Sequence, residues 1–278
     1  MNAATERMGV IHGIDINVYH QSPGISKTGL DRISRSPAHF YALTLDPNRP
    51  PEKDRAGQLE GQLAHCAILE PDEFDKRYVV GPEGTRATKA WKEFEASLPA
   101  GVIGIKADQR EVALRQAESV RKLPDIAEAL AQGVAESSAF WHDPETGVLC
   151  RCRPDWQQNV GDKHALLLDV KTYSDARPTE FARQAARKRY DVQAAYYSDG
   201  YGHASGRSVL GFIFVAVETE YPYAASAVML DEMSIESGRT KYRRDLNTYA
   251  HCLKTGEWPG HGAVIHQVSL PQWAVEIE

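Results

Sequence analysis

Cys150-Arg-Cys-Arg-Pro-Asp-Trp156 and, beginning nine residues later, Ala165-Leu-Leu-Leu-Asp-Val-Lys171 are the stretches that decide the fold. The second is an apolar run closed by an acid and a lysine, the pattern of a central strand buried on both faces. Residues two apart on a strand point to the same side, so Asp169 and Lys171 project together from its end. Asp155 lies fourteen residues before Asp169. A strand end offering a carboxylate and an ammonium, with a second carboxylate close by, can hold a divalent cation. The ammonium can then steady or deprotonate a water. Such a site suits phosphodiester hydrolysis, where hydroxide must form at neutral pH and charge builds on phosphate oxygens. A D-x-K triplet alone is common by chance, so its neighbours must carry the argument.

Before the triplet, Val134 to His142 reads as one strand, Asp143-Pro-Glu-Thr-Gly147 as a turn, and Val148 to Arg153 as the hairpin partner. After it, Thr179 to Asp199 reads as one long helix, Val209 to Glu218 and Ala224 to Leu230 as strands, and Asp231 to Lys254 as a helix closed by Gly256. Residues 1–24 read as loop. Ser26 or Thr28 can cap a short helix through Leu30 and Ile33, and Ser36-Pro37 starts another. Asn48 to Lys53 reads as a linker and Asp54 to Leu69 as a helix, in which Gly57 and Gly61 imply close approach of another backbone or a ligand. Helical pieces follow near Lys89 to Leu98, Asp108 to Leu123 and Asp125 to Gln132. With no repeat or hydrophilic linker, the chain reads as one domain over 1–278: a helical part (about 25–132), a part of sheet and helices (about 133–258) and a tail (259–278). The expected class is α/β, a mixed central sheet flanked by helices.

The 278 residues are 42% apolar, enough for a sizeable core. A net charge of −6 argues against non-specific coating of nucleic acid, yet permits a local basic strip. Cys66, Cys150, Cys152 and Cys252 form no C-x-x-C pair, and Cys150 and Cys152 share a strand face suited to core packing. No signal-type N-terminus or membrane-length apolar run is present, so a soluble, cytoplasmic protein is expected. Walker, G-x-G-x-x-G, G-x-S-x-G and H-E-x-x-H patterns are absent.

Further candidates surround the triplet. Asp155 follows Pro154 at a strand end, where an Asp is often only a turn residue. Arg151 and Arg153 precede it on one face and are candidate DNA contacts. Glu136, on the expected first hairpin strand, is a further metal ligand or water-positioner unless it simply faces solvent. His65 on the helix ending at Leu69 could add an imidazole nitrogen. Gln193 and Tyr197, four apart, share a helix side. Arg183, Arg187, Lys188 and Arg189 on the same helix are either a solvated face or a track for a phosphate backbone. Ser26, Lys27 and Thr28 at a helix start either cap it or receive a terminal 5′-phosphate.

The ordered set His65, Glu136, Asp155, Asp169-Val-Lys171 and Gln193-x-x-x-Tyr197 resembles the RecB-like branch of the PD-(D/E)XK nuclease superfamily. Tyr19-His-Gln-Ser-Pro-Gly-Ile-Ser-Lys-Thr-Gly-Leu-Asp31, Arg35-Ser-Pro-Ala-His-Phe40 and Gly57 to Glu70 resemble the nuclease domain of exodeoxyribonuclease VIII (RecE). The resemblance implies a restriction-endonuclease-like α/β core. It also implies a Mg²⁺-dependent exonuclease, with Mn²⁺ as a substitute, degrading one strand of duplex DNA from its 5′ end. It further implies a ring-like homo-oligomer acting with a single-strand annealing protein of the RecT type in phage-type recombination. Asp155 and Asp169 would hold the metal with the Val170 carbonyl, and Lys171 would orient or activate water. Glu136 and His65 would complete or support the metal shell, and Gln193 and Tyr197 would brace the site against DNA. Two departures stand out: the central strand carries Asp where the superfamily commonly has Glu, and the large N-terminal region of exodeoxyribonuclease VIII is absent. The cysteines do not fit the iron–sulfur ligation of CRISPR-associated members. An endonuclease of this fold and a catalytically silent DNA-binding scaffold are the competing expectations.

Overall fold

The computed structural model describes residues 7–51 and 56–275. Its centre is a five-stranded mixed sheet in the order β10-β9-β8-β7-β4. In chain order these strands are β4 (Val134–Ala135), β7 (Trp156–Val160), β8 (His164–Tyr173), β9 (Ser208–Glu218) and β10 (Ala225–Met229). β8 and β9 are parallel and the other pairs antiparallel. A three-stranded sheet, β1-β5-β6, is formed by Gly9–Ile11, Ser138–His142 and Leu149–Cys152. A parallel ribbon joins β2 (Tyr78–Val80) to β3 (Ile103–Ile105). The expected α/β class, with a mixed central sheet between helices, is what the chain adopts.

The two-residue period of β8 explains the layering. Ala165 and Leu167 enter one core, together with Phe212, Phe214 and Ala216 of β9. Helices α2 (Lys27–Arg35), α9 (Pro178–Lys188), α10 (Tyr190–Ser205) and α11 (Glu232–Thr255) cover that side. Leu168 and Val170 enter the other core, with Val215 and Val217, under α4 (Gln58–Leu69), α7 (Ala107–Arg121) and α8 (Pro124–Ala131). Full burial of a leucine such as Leu167 or Leu168 contributes about 1.5–3 kcal/mol. Cys150 and Cys152 are fully buried in the first core, as their spacing predicts.

Several expectations need correction. The single strand over 134–142 is two strands in two different sheets: β4 pairs with β7, and β5 pairs with β6 and β1. The chain changes sheet at Glu136, whose φ of 54° lies in the left-handed region. That conformation costs a non-glycine residue on the order of 1 kcal/mol. β7 was not expected as a strand, because Trp156-Gln-Gln-Asn-Val160 carries little apolar alternation. The long helix over 179–199 is broken at Arg189 (φ 55°) into α9 and α10. Residues 1–24 contain β1 and a short helix α1 (Ile16–Gln21), and α5 (Pro71–Arg77) continues directly after α4.

Ser26 does cap α2, accepting from the Gly29 amide, and Ser36 caps α3 (Pro37–Phe40). The helix expected from Asp54 is described from Gln58; Asp54 and Lys53 lie outside the described residues. Among the described residues, no second backbone comes close to Gly57 or Gly61. Gly57 instead takes a left-handed φ of 77° at the helix start, and a Cβ at Gly61 would come only within 4.0 Å of Thr172. Beyond α11 and Gly256, Trp258 stacks on Phe40, and residues 259–271 run without helix or strand. Among the described residues, no helix is long and apolar enough to cross a membrane.

Candidate metal centre

β8 carries Asp169, Val170 and Lys171 near its C-terminal end, with one core on each face of the strand. Asp155 sits in the link between β6 and β7, and its Oδ2 accepts from the Val170 amide at 2.7 Å. That bond fixes the carboxylate against the neighbouring strand. Glu136 lies in the link between β4 and β5, and its amide donates to the Asp155 carbonyl at 2.9 Å. The left-handed turn at Glu136 and the Pro154-Asp155 link are therefore tied to each other by backbone. His65 comes from the opposite layer, on α4, with Nδ1 3.4 Å from Asp155 Oδ2. Donor atoms of His65, Glu136 and Asp155 all lie within 4.8 Å of one another.

Electrostatics divide this group from its neighbours. Burial, then the nearby charges of Asp169 and Glu136, push the Asp155 carboxyl far above the usual carboxylate range. Burial also raises Glu136, against the opposing pull of Arg153, whose Nε donates to its Oε2 at 2.6 Å. Burial lowers His65, with Asp169 pulling the other way. A neutral imidazole and two crowded carboxyls form a set of O and N donors that a small divalent cation would stabilise. The residues present therefore fit a metal.

Asp169 is treated differently. Its carboxylate is held by the Lys171 ammonium and by the side-chain amide of Gln193 from α10. Burial works against a charged Lys171, but Asp169 and Asp155 outweigh it and raise its pKa, so the group stays an ammonium at neutral pH. Its Nζ lies 4.8 Å from the centroid of the Tyr190 ring. Tyr197 lies one turn after Gln193 on α10, its ring 5.8 Å from that of Phe212 and 6.3 Å from that of Tyr196. The residues singled out in sequence around Asp155 and Asp169 are thus brought together. Tyr190 was not among them; its position three residues before Gln193 is the signal that could have found it.

The basic residues separate into two groups. Arg151 donates to the carbonyls of Gly24 (3.0 Å), His20 (3.2 Å) and Tyr19, and lies over the Tyr19 ring. Besides Glu136, Arg153 holds the Ile14 carbonyl (2.9 Å) and Ser138 Oγ (3.3 Å). Arg189 is held by Asp31 (3.0 Å) and Asp245. These three guanidiniums are held by partners within the fold. Arg183, Arg187 and Lys188 are exposed on α9, with Arg183 paired to Glu180 at 2.5 Å. Lys27 bonds Asp31 (2.7 Å) and the Lys188 carbonyl (2.9 Å) beside the exposed Thr28.

Comparison with known proteins bears on the same centre. None of the curated proteins matches the chain. The crystal structure of a candidate exonuclease from Eubacterium rectale superposes with a TM-score of 0.60 over 95% of this chain and 99% of that one. At 10% identity, that similarity is one of fold alone. An alkaline exonuclease from Laribacter hongkongensis is 17% identical, covering 70% of this chain and 91% of its own, with a TM-score of 0.27. The protein SSO0001 is 13% identical, covering 70% and 87%, with a TM-score of 0.30. Both superpose too loosely to carry an argument. The sequence pattern of one family does span most of the chain, residues 26–268, including every member of the cluster built above. The chain belongs to that family, the PDDEXK-like domain of unknown function DUF3799.

Proposed function

We propose that this protein is a metal-dependent nuclease that hydrolyses one strand of linear duplex DNA from its 5′ end. The observation that carries the reading is the convergence of His65, Glu136 and Asp155, within 4.8 Å of one another, beside Asp169 and Lys171. Asp155, Glu136 and His65 would hold Mg²⁺, or Mn²⁺ in its place, with Asp169 and the Val170 carbonyl at the margin. Mg²⁺ bound there would supply Lewis acidity toward a phosphate oxygen and make water more acidic.

The remaining chemistry belongs to the chain. Lys171, held as an ammonium, orients the attacking water and neutralises charge gathering on the phosphate. Gln193 keeps the Asp169 carboxylate turned toward Lys171. The exposed Arg183, Arg187 and Lys188 offer a track for the phosphate backbone, and Ser26, Lys27 and Thr28 a place for the terminal phosphate. The DNA-end substrate, the polarity, a ring-like homo-oligomer and an annealing-protein partner in recombination rest on the resemblance to RecE-like nucleases.

The test is to incubate 5′-labelled linear, 3′-labelled linear and closed circular duplex DNA with Mg²⁺, using the wild type and Asp169→Ala. Loss of linear DNA alone, with immediate release of the 5′ label and no activity in the variant, is the expected result. Cleavage of the circle would make the protein an endonuclease. Binding of DNA without Mg²⁺-dependent loss would make it a scaffold.

A further inference from the structure

α10 touches both members of the Asp169–Lys171 pair. Gln193 donates to the Asp169 carboxylate, and three residues earlier Tyr190 places its ring 4.8 Å from the Lys171 ammonium. Residues three apart on a helix share a side, so one turn of α10 engages the carboxylate and the ammonium together. The Tyr190 ring is fixed from several directions. It stacks on Phe214 (5.3 Å, 22°) and Phe181 (5.9 Å, 29°), and its hydroxyl shares a hydrogen bond with that of Tyr173. The backbone turns into α10 at Arg189, which is pinned by Asp31 and Asp245. Had the helix continued unbroken from α9, that turn would not aim Tyr190 and Gln193 at the strand end.

The geometry points to Tyr190 as the positioning residue for the Lys171 ammonium. This inference deepens the nuclease reading above and rests on it. An aromatic face attracts an ammonium through its quadrupole without accepting a conventional hydrogen bond from it. A lysine has three N–H donors. The ring holds the head group while Asp169 takes one donor, leaving donors for a water and a phosphate oxygen. A carboxylate at the position of Tyr190 would hold the ammonium more tightly but occupy a donor. Lys27 approaches the same ring more distantly, at 5.8 Å, and is tethered by Asp31 and the Lys188 carbonyl. Lys171 is therefore the cation that the ring serves.

Steady-state kinetics on Tyr190→Phe and Tyr190→Leu, each also made with Lys171→Met, test this. Tyr190→Phe keeps the ring and is expected to stay within about 2-fold of wild type, while Tyr190→Leu loses about 10-fold in kcat with KM nearly unchanged. In the Lys171→Met background, Tyr190→Leu is expected to have no further effect on residual activity. Equal losses in the Phe and Leu variants, or a loss confined to KM, overturn the proposal. So does a further loss in the Lys171→Met background, which marks a packing role only. If the wild type shows no Mg²⁺-dependent hydrolysis, the nuclease reading has failed and NMR judges Tyr190 alone. Lys171 Hε resonances shifted upfield by the ring in wild type and Tyr190→Phe, and restored in Tyr190→Leu, support it. Ordinary positions in the wild type overturn it.

Discussion

Two halves of the candidate centre meet at β8 and follow opposite electrostatic plans. On one side, His65, Glu136 and Asp155 come from three separate segments, and burial, with the negative charge of Asp169 beside them, drives both carboxyls upward. On the other, Asp169 is matched by Lys171 and Gln193. The first half is short of positive charge and the second is already balanced. A site built to receive a cation tolerates strain in its empty state where the cation will sit. It stays rigid where the protein must supply its own charge.

The strongest way to break this contrast is to remove the charge at Asp155. Asp155→Asn should cost about 10³-fold in Mg²⁺-dependent DNA hydrolysis. It should also raise the melting temperature of the metal-free protein at neutral pH, because folding no longer has to protonate that buried carboxyl. A lower melting temperature would show that Asp155 is structural. Lys171→Met attacks the other half and should cost about 10²-fold in activity while the thermal shift produced by Mg²⁺ persists. Loss of that shift would mean the halves are not separate. Gln193→Leu should destabilise the fold by about 1–3 kcal/mol in urea titration, since a buried carboxylate loses a donor. An unchanged midpoint would remove Gln193 from the balanced half.

The smallest effect is on pH. The raised pKa values of Asp155 and Glu136 favour the metal-free fold when both are protonated. That contribution is full below the ordinary carboxyl range and is lost as pH rises through the raised folded values. Mg²⁺ competes with those protons. The Mg²⁺-induced rise in melting temperature should therefore grow by a few degrees from about pH 5 to 8. A shift constant across that range would contradict the proton competition.

Much of this was legible because β8 obeys a two-residue period. An apolar run ending in D-x-K placed Asp169 and Lys171 on one face, and strand order then placed Asp155 nearby. What escaped was set by tertiary contacts. Glu136 and Arg189 adopt left-handed conformations that no local propensity favours, so the sheet change and the helix break were invisible. The anchoring of Arg151 and Arg153 was not legible either, because their carbonyl partners, Ile14 and residues 19–24, are more than a hundred positions away. Tyr190 escaped because an aromatic residue at a helix start reads equally well as core.

Arg153 carries a consequence for assembly of the molecule. One guanidinium grips Glu136 and the carbonyl of Ile14, 139 positions away. Loops of that length close slowly during folding. The guanidinium thus ties the Glu136 side of the acidic cluster to the amino-terminal segment, and that tie forms only once the segment has docked.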